Sequence, residues 1–112
     1  MMDFNTYQKL ARRTQNQELS PRETREHALC GLAAEVGEVC GIHQKNLQGK
    51  PISLNDLKLE IGDVLWMLAE LCDVYRFSLD DIAELNIAKL KKRYPNGFDA
   101  ERNNARYKGD SK

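Results

Sequence analysis

The stretch from residue 35 to residue 63 opens with Glu35-Val-Gly-Glu38-Val, turns through Leu47-Gln-Gly49-Lys-Pro51, and closes with Glu60-Ile-Gly-Asp63-Val. Each acidic phrase is a carboxylate pair at i, i+3. On an α-helix that spacing sets two side chains about 60° apart and one turn along the axis, so both can reach one ion. Gly49 is the midpoint of Glu35 and Asp63 and also of Glu38 and Glu60, and it sits in the clearest turn signal between them. Two helices folding back antiparallel about that turn would bring both pairs to one height, with four carboxylates facing one volume. Left unpaired, such charges repel, raise one another's pKa values and destabilise the fold, so a cation is expected among them. Hard oxygen ligands favour Mg²⁺ or Mn²⁺ over zinc. One acidic pair alone is commonly just a solvated helix face; symmetry about a turn is what separates this arrangement from that reading.

Working outward, the second helix is predicted from about Pro21 to about Asn46 after a Ser-Pro start. Leu29, Leu32, Ala33, Val36, Val39, Cys40 and Leu47 form its apolar stripe, with Glu35 and Glu38 on the far side among small residues. Gly31, Gly37 and Gly41 each cost about 1 kcal/mol relative to Ala within a helix, which predicts close approach by a neighbour or ligand. Gly62 repeats the pattern. A third helix, capped by Ser53 with Asp56 three residues on, should run to about Tyr75. Its main stripe is Leu57, Ile61, Val64, Leu68, Leu71, Cys72 and Tyr75, and Leu59, Trp66, Met67 and Val74 occupy the other faces. A helix apolar nearly all round belongs at the centre of a bundle or against another subunit, and in so small a domain a helical homo-oligomer is expected.

A short amphipathic first helix is predicted from Phe4, Tyr7, Leu10, Ala11 and Thr14, capped by Asp3 or Asn5. The fourth helix starts after Ser78 with Asp80 and Asp81 in its first turn, where the dipole favours anions. Asn86 interrupts its apolar side, and Lys89 and Arg93 follow at i+3 and i+7, placed to meet phosphate oxygens. Tyr94-Pro-Asn-Gly97 stops that helix, so a single domain over residues 1–98 is expected, followed by a polar, mobile tail over 99–112. Arg102 or Arg106 in the tail could fold back over a bound anion.

At 112 residues with 17 acidic and 17 basic side chains, the chain is one small domain of zero net charge. That balance gives no electrostatic basis for general nucleic-acid binding or for an anionic membrane surface. No run approaches the ~18–20 apolar residues of a membrane span, and the amino end lacks a signal-peptide pattern. Three cysteines make no disulfide framework and suit a reducing, cytoplasmic compartment. His27-x2-Cys30 and Cys40-x2-His43 mimic zinc-ligand spacing, but on one helix the two halves stand about 15 Å apart, too far for tetrahedral zinc. Both cysteines are therefore expected in the core, with His43 packing at the stripe's edge. No Gly-rich phosphate loop, Ser/His/Asp set or basic-aromatic stripe is present.

The acidic quartet, followed by Asn86-x2-Lys89-Leu90 and Arg93-Tyr94-Pro95-x-Gly97-Phe98, resembles the MazG-type nucleotide pyrophosphohydrolases from about Leu29 to Phe98. The resemblance implies an all-α fold whose four-helix core is completed by oligomerisation, as a dimer or tetramer. It also implies Mg²⁺-dependent hydrolysis of nucleoside triphosphates to monophosphate and pyrophosphate. Carried over to this chain, Glu35, Glu38, Glu60 and Asp63 hold the metal ions, with Mn²⁺ a possible substitute. Lys45, Asn86, Lys89 and Arg93 contact phosphates or sugar. The alternatives are a non-enzymatic helical interaction module and a related hydrolase acting on another phosphorylated nucleotide. Any one of Trp66, Tyr75, His43, Tyr7 or Phe4 could stack on a base, although core or interface packing is the commoner use of such residues.

Overall fold

The computed structural model describes residues 1–107. Among them the protein is all-α: α1 (Phe4–Ala11), a 3₁₀ turn (Arg12–Thr14), α2 (Pro21–Leu47), α3 (Leu54–Tyr75), α4 (Leu79–Arg93) and α5 (Ala100–Tyr107). The chain divides into two compact units, Met1–Leu79 and Asp80–Lys112. No helix of the described residues is long and apolar enough to cross a membrane.

Helix boundaries in the first unit follow local chemistry. The Asp3 side chain accepts from Thr6 N–H at 2.7 Å and caps α1. Ser20 and Glu23 form a reciprocal capping box, with Pro21 in the first turn, where its missing N–H costs nothing. Ser53 accepts from Asp56 N–H and starts α3. Gly49, at φ +105°, adopts the left-handed backbone that lets the α2–α3 turn close.

In this unit α2 and α3 form an antiparallel hairpin and α1 lies on α3. The small core gathers Ala11, Ala69, Cys72 and Leu79, with Tyr7 and Trp66 packed against it. Buried Gln8 ties α1 to the chain beyond α3, because its amide donates to Asp73 Oδ1 and Phe77 O and accepts from Leu79 N–H. Trp66 Nε1 donates to Thr14 Oγ1 at 3.0 Å, closing the same contact from the other end.

The apolar stripe expected to bury α2 does not do so. Leu29, Ala33, Val36, Cys40 and Leu47 are exposed, while Ala28 is fully buried and Gly31, Leu32, Glu35, Val39 and Ile42 are partly covered. The helix meets α3 through its small-residue face, since only there can two backbones come close; the bulkier stripe is left outward. Two corrections follow from this rotation: Cys30 and Cys40 are exposed rather than in the core, and His43 is exposed rather than packed. Of the glycines, Gly31 explains itself, because a Cβ there would meet Met67 Sδ at 2.4 Å, whereas Gly37, Gly41 and Gly62 have no neighbour within 4 Å.

In the second unit, α4 ends at Tyr94-Pro95-Asn96-Gly97, with Gly97 at φ +91°. Residues 100–107, read from sequence as part of a polar tail, form α5. Arg102 donates to the main-chain oxygens of Arg93 and Lys92, and Tyr94 Oη donates to Asn103 Oδ1. The side chain of Arg106 and residues 108–112 lie outside the described part of the chain.

Candidate metal and nucleotide site

The hairpin brings the two acidic phrases together. Glu35 from α2 and Glu60 and Asp63 from α3 each offer a carboxylate oxygen, and these oxygens lie within 4.8 Å of one another. Glu35 and Glu60 are half-buried and Asp63 is exposed. Glu38 stands outside that trio, one turn further toward the interhelical turn, and shares a cavity wall with Glu60. Its charge still reaches the cluster. Glu60 is held above the ordinary carboxylate value of 4.5 by loss of water and then by the charges of Asp63, Glu38, Glu35 and Asp56. Each of these causes works against its anion. Three hard oxygen donors gathered around a carboxyl held above its ordinary value are chemistry that suits a divalent cation.

The layers on either side of the cradle differ. Toward the start of α2 the next layer is Gly31 against Met67, which is 4% exposed, and beyond it Glu70 lies buried with its carboxylate bonded to His27 Nδ1. Toward the α2–α3 turn the seam opens into a cavity of about 240 Å³. Lys45, Lys50, Asp56 and Ile42 stand in its wall with Glu38 and Glu60. Helix α1 packs on α3, and the Tyr7 phenol is pushed up by burial and then by the charge of Asp63.

Among residues singled out from sequence, Lys45 thus lines the cavity beside the carboxylates. Asn86, Lys89 and Arg93 all lie on α4, in the second unit. There Asn86 and Lys89 are exposed, whereas Arg93 is buried and its Nη2 has no hydrogen-bond partner. Sequence reading passed over Lys50 and Asp56 as site residues. The available signal was position: both fall between the acidic pairs, Lys50 in the turn and Asp56 in the first turn of α3, one helical turn before Glu60.

Comparison with known proteins bears on the same segment. The chain is 32% identical over 72 residues to the Gene 37 protein of Mycobacterium phage L5, a match covering 60% of this chain and 63% of that protein. The chain therefore spans less than two thirds of the length of this curated relative. No solved structure matches. The family model for the MazG nucleotide pyrophosphohydrolase domain matches residues 23–98, a segment that begins in the α2 capping box and holds both acidic pairs and all of α4. By that match across most of its length, the chain belongs to the MazG nucleotide pyrophosphohydrolase domain family.

Proposed function

We propose that this protein is a Mg²⁺-dependent hydrolase that converts ribo- or deoxyribonucleoside triphosphates to the monophosphate and pyrophosphate. The observation that carries the reading is the convergence of Glu35, Glu60 and Asp63 oxygens within 4.8 Å, from two helices related by one turn. The residues fit the ion: all donors are carboxylate oxygens, and no ion pair among the described residues occupies them. Bound there, Mg²⁺ or Mn²⁺ would supply charge neutralisation and Lewis acidity toward the phosphate oxygens and the attacking water.

The chain's own residues do the rest. Glu35, Glu60 and Asp63 hold the ion, and Glu38 completes the quartet from the cavity side, where a free carboxylate can also take the proton of the attacking water. Lys45 presents an ammonium to phosphate oxygens from the same wall. Asn86, Lys89 and Arg93 are assigned to phosphate or sugar contacts from the family pattern, and the unpartnered Nη2 of buried Arg93 supports a role for its guanidinium as an anion ligand. The functional domain is taken as residues 1–98, in a homo-oligomer that acts on free nucleotides in the cytoplasm and not on nucleic acid.

Incubation with Mg²⁺ and a panel of nucleoside triphosphates, resolving pyrophosphate from orthophosphate, tests the reading. Stoichiometric pyrophosphate release is expected. Release of orthophosphate alone would reassign the reaction, and absence of both turnover and any Mg²⁺-dependent thermal shift would favour a non-enzymatic helical module.

A further inference from the structure

The two sides of the carboxylates along the interhelical seam differ. Toward the start of α2, Met67 fills the space that Gly31 leaves, and behind it the buried Glu70 carboxylate is taken up by His27. Toward the turn lies the cavity, whose wall carries Lys45 and Lys50 as well as Glu38 and Glu60. Among the described residues neither lysine is in an ion pair, although carboxylates share the cavity with them.

The root of the Lys50 side chain is fixed. Its N–H donates to Lys45 O at 3.0 Å, its carbonyl accepts from Asn46 Nδ2 at 3.0 Å, and the following Pro51 has a locked φ. A lysine held at its main chain in the wall of a pocket lined by both signs of charge matches a ligand that is itself both: a divalent ion carrying a phosphate chain. It does not match a nucleobase, because no aromatic side chain lines the cavity and its apolar wall is confined to Ile42, Pro51 and Leu59.

We infer that Lys50 is a further substrate-binding residue, which with Lys45 receives the phosphate chain running from the carboxylates toward the α2–α3 turn, including the part released as pyrophosphate. This direction of binding rests on the reading of the carboxylates as metal-holding. It leaves the nucleoside outside the cavity.

Inorganic pyrophosphate and Mn²⁺ are the probes, with thermal shift and calorimetric titration as readouts that need no turnover. The wild-type protein should be stabilised by Mn²⁺ alone and further by pyrophosphate in its presence. Lys50→Gln should keep the Mn²⁺ shift, which also shows it folded, and bind pyrophosphate about tenfold or more weakly, the loss of one charge-assisted contact. Lys50→Arg should recover most of that affinity, and Lys58→Gln, on α3 outside the cavity, should leave it unchanged. Unaltered pyrophosphate affinity in Lys50→Gln overturns the assignment, as does wild-type protein that binds Mn²⁺ but not pyrophosphate. A wild-type protein with no Mn²⁺ shift overturns the metal reading itself and this inference with it.

Discussion

Glu60 concentrates the electrostatic conflict of the site. Burial and four neighbouring carboxylates raise its pKa above 4.5, so the folded chain binds this proton more tightly than the unfolded chain does. Stability therefore falls as pH rises from 4.5 through the raised value, because over that window the native state must give up a proton it holds more firmly. Glu23 works in the opposite sense. Its bonds to Ser20 hold it below its ordinary value, and the stability they contribute is lost as pH falls through the lowered one. Comparing Tm against pH for metal-free wild type and Glu60→Gln isolates the first effect: the variant should lose the decline. Glu60→Gln and Asp63→Asn should also abolish pyrophosphate release and the Mn²⁺-dependent thermal shift while leaving the metal-free fold intact or slightly more stable. Full activity in either would remove the basis for the site.

At the scale of elements, the α2–α3 hairpin is held by close approach and one buried polar contact rather than by a large apolar layer. Gly31 and Gly37 make a matched pair of probes. Alanine at Gly37 meets open space and should stabilise α2 by about 0.5–1 kcal/mol through helix propensity. At Gly31 the same gain is opposed by overlap with Met67 Sδ, an overpacking cost of about 1–3 kcal/mol, so urea unfolding should rank Gly31→Ala the less stable. The His27–Glu70 contact is a second test. Glu70 is 2% exposed, and His27→Ala would strand its carboxylate at a cost of about 1–3 kcal/mol. Replacing both residues by apolar ones should recover most of the loss, since the penalty lies in leaving one partner unpaired. Neither contact was visible beforehand, because pairing Gly31 with Met67 or His27 with Glu70 needs the interhelical register, which spacing along one helix does not contain.

For the whole molecule, the surplus of uncovered apolar surface is the feature that most needs a partner. Leu54, Ile61, Leu68 and Tyr75 recur every seven residues along α3, all at least one third exposed, and Leu29 and Val36 repeat that interval on α2. A heptad-spaced apolar row on each of two antiparallel helices suits the homo-oligomer proposed above, in which a second copy would cover it. Sedimentation or light scattering should give a mass above that of one chain, and Ile61→Glu should lower the mass and weaken pyrophosphate release together; a monomer of full activity would refute oligomerisation. The positions of the first four helices, the Ser20 and Ser53 caps, the turn at Gly49 and the pairing of acidic phrases about it were legible in the sequence by itself, because caps, turns and i, i+3 spacing are local and recur in any context that permits a helix; α5, in a polar stretch without an apolar stripe, was not. Tertiary structure alone decided which face of α2 turns inward, that three carboxylates meet closely while Glu38 stands toward the cavity, and that Lys50 shares that cavity. Those outcomes depend on how near two backbones can approach, and that distance is set by the small residues of one helix against the particular side chains of the other.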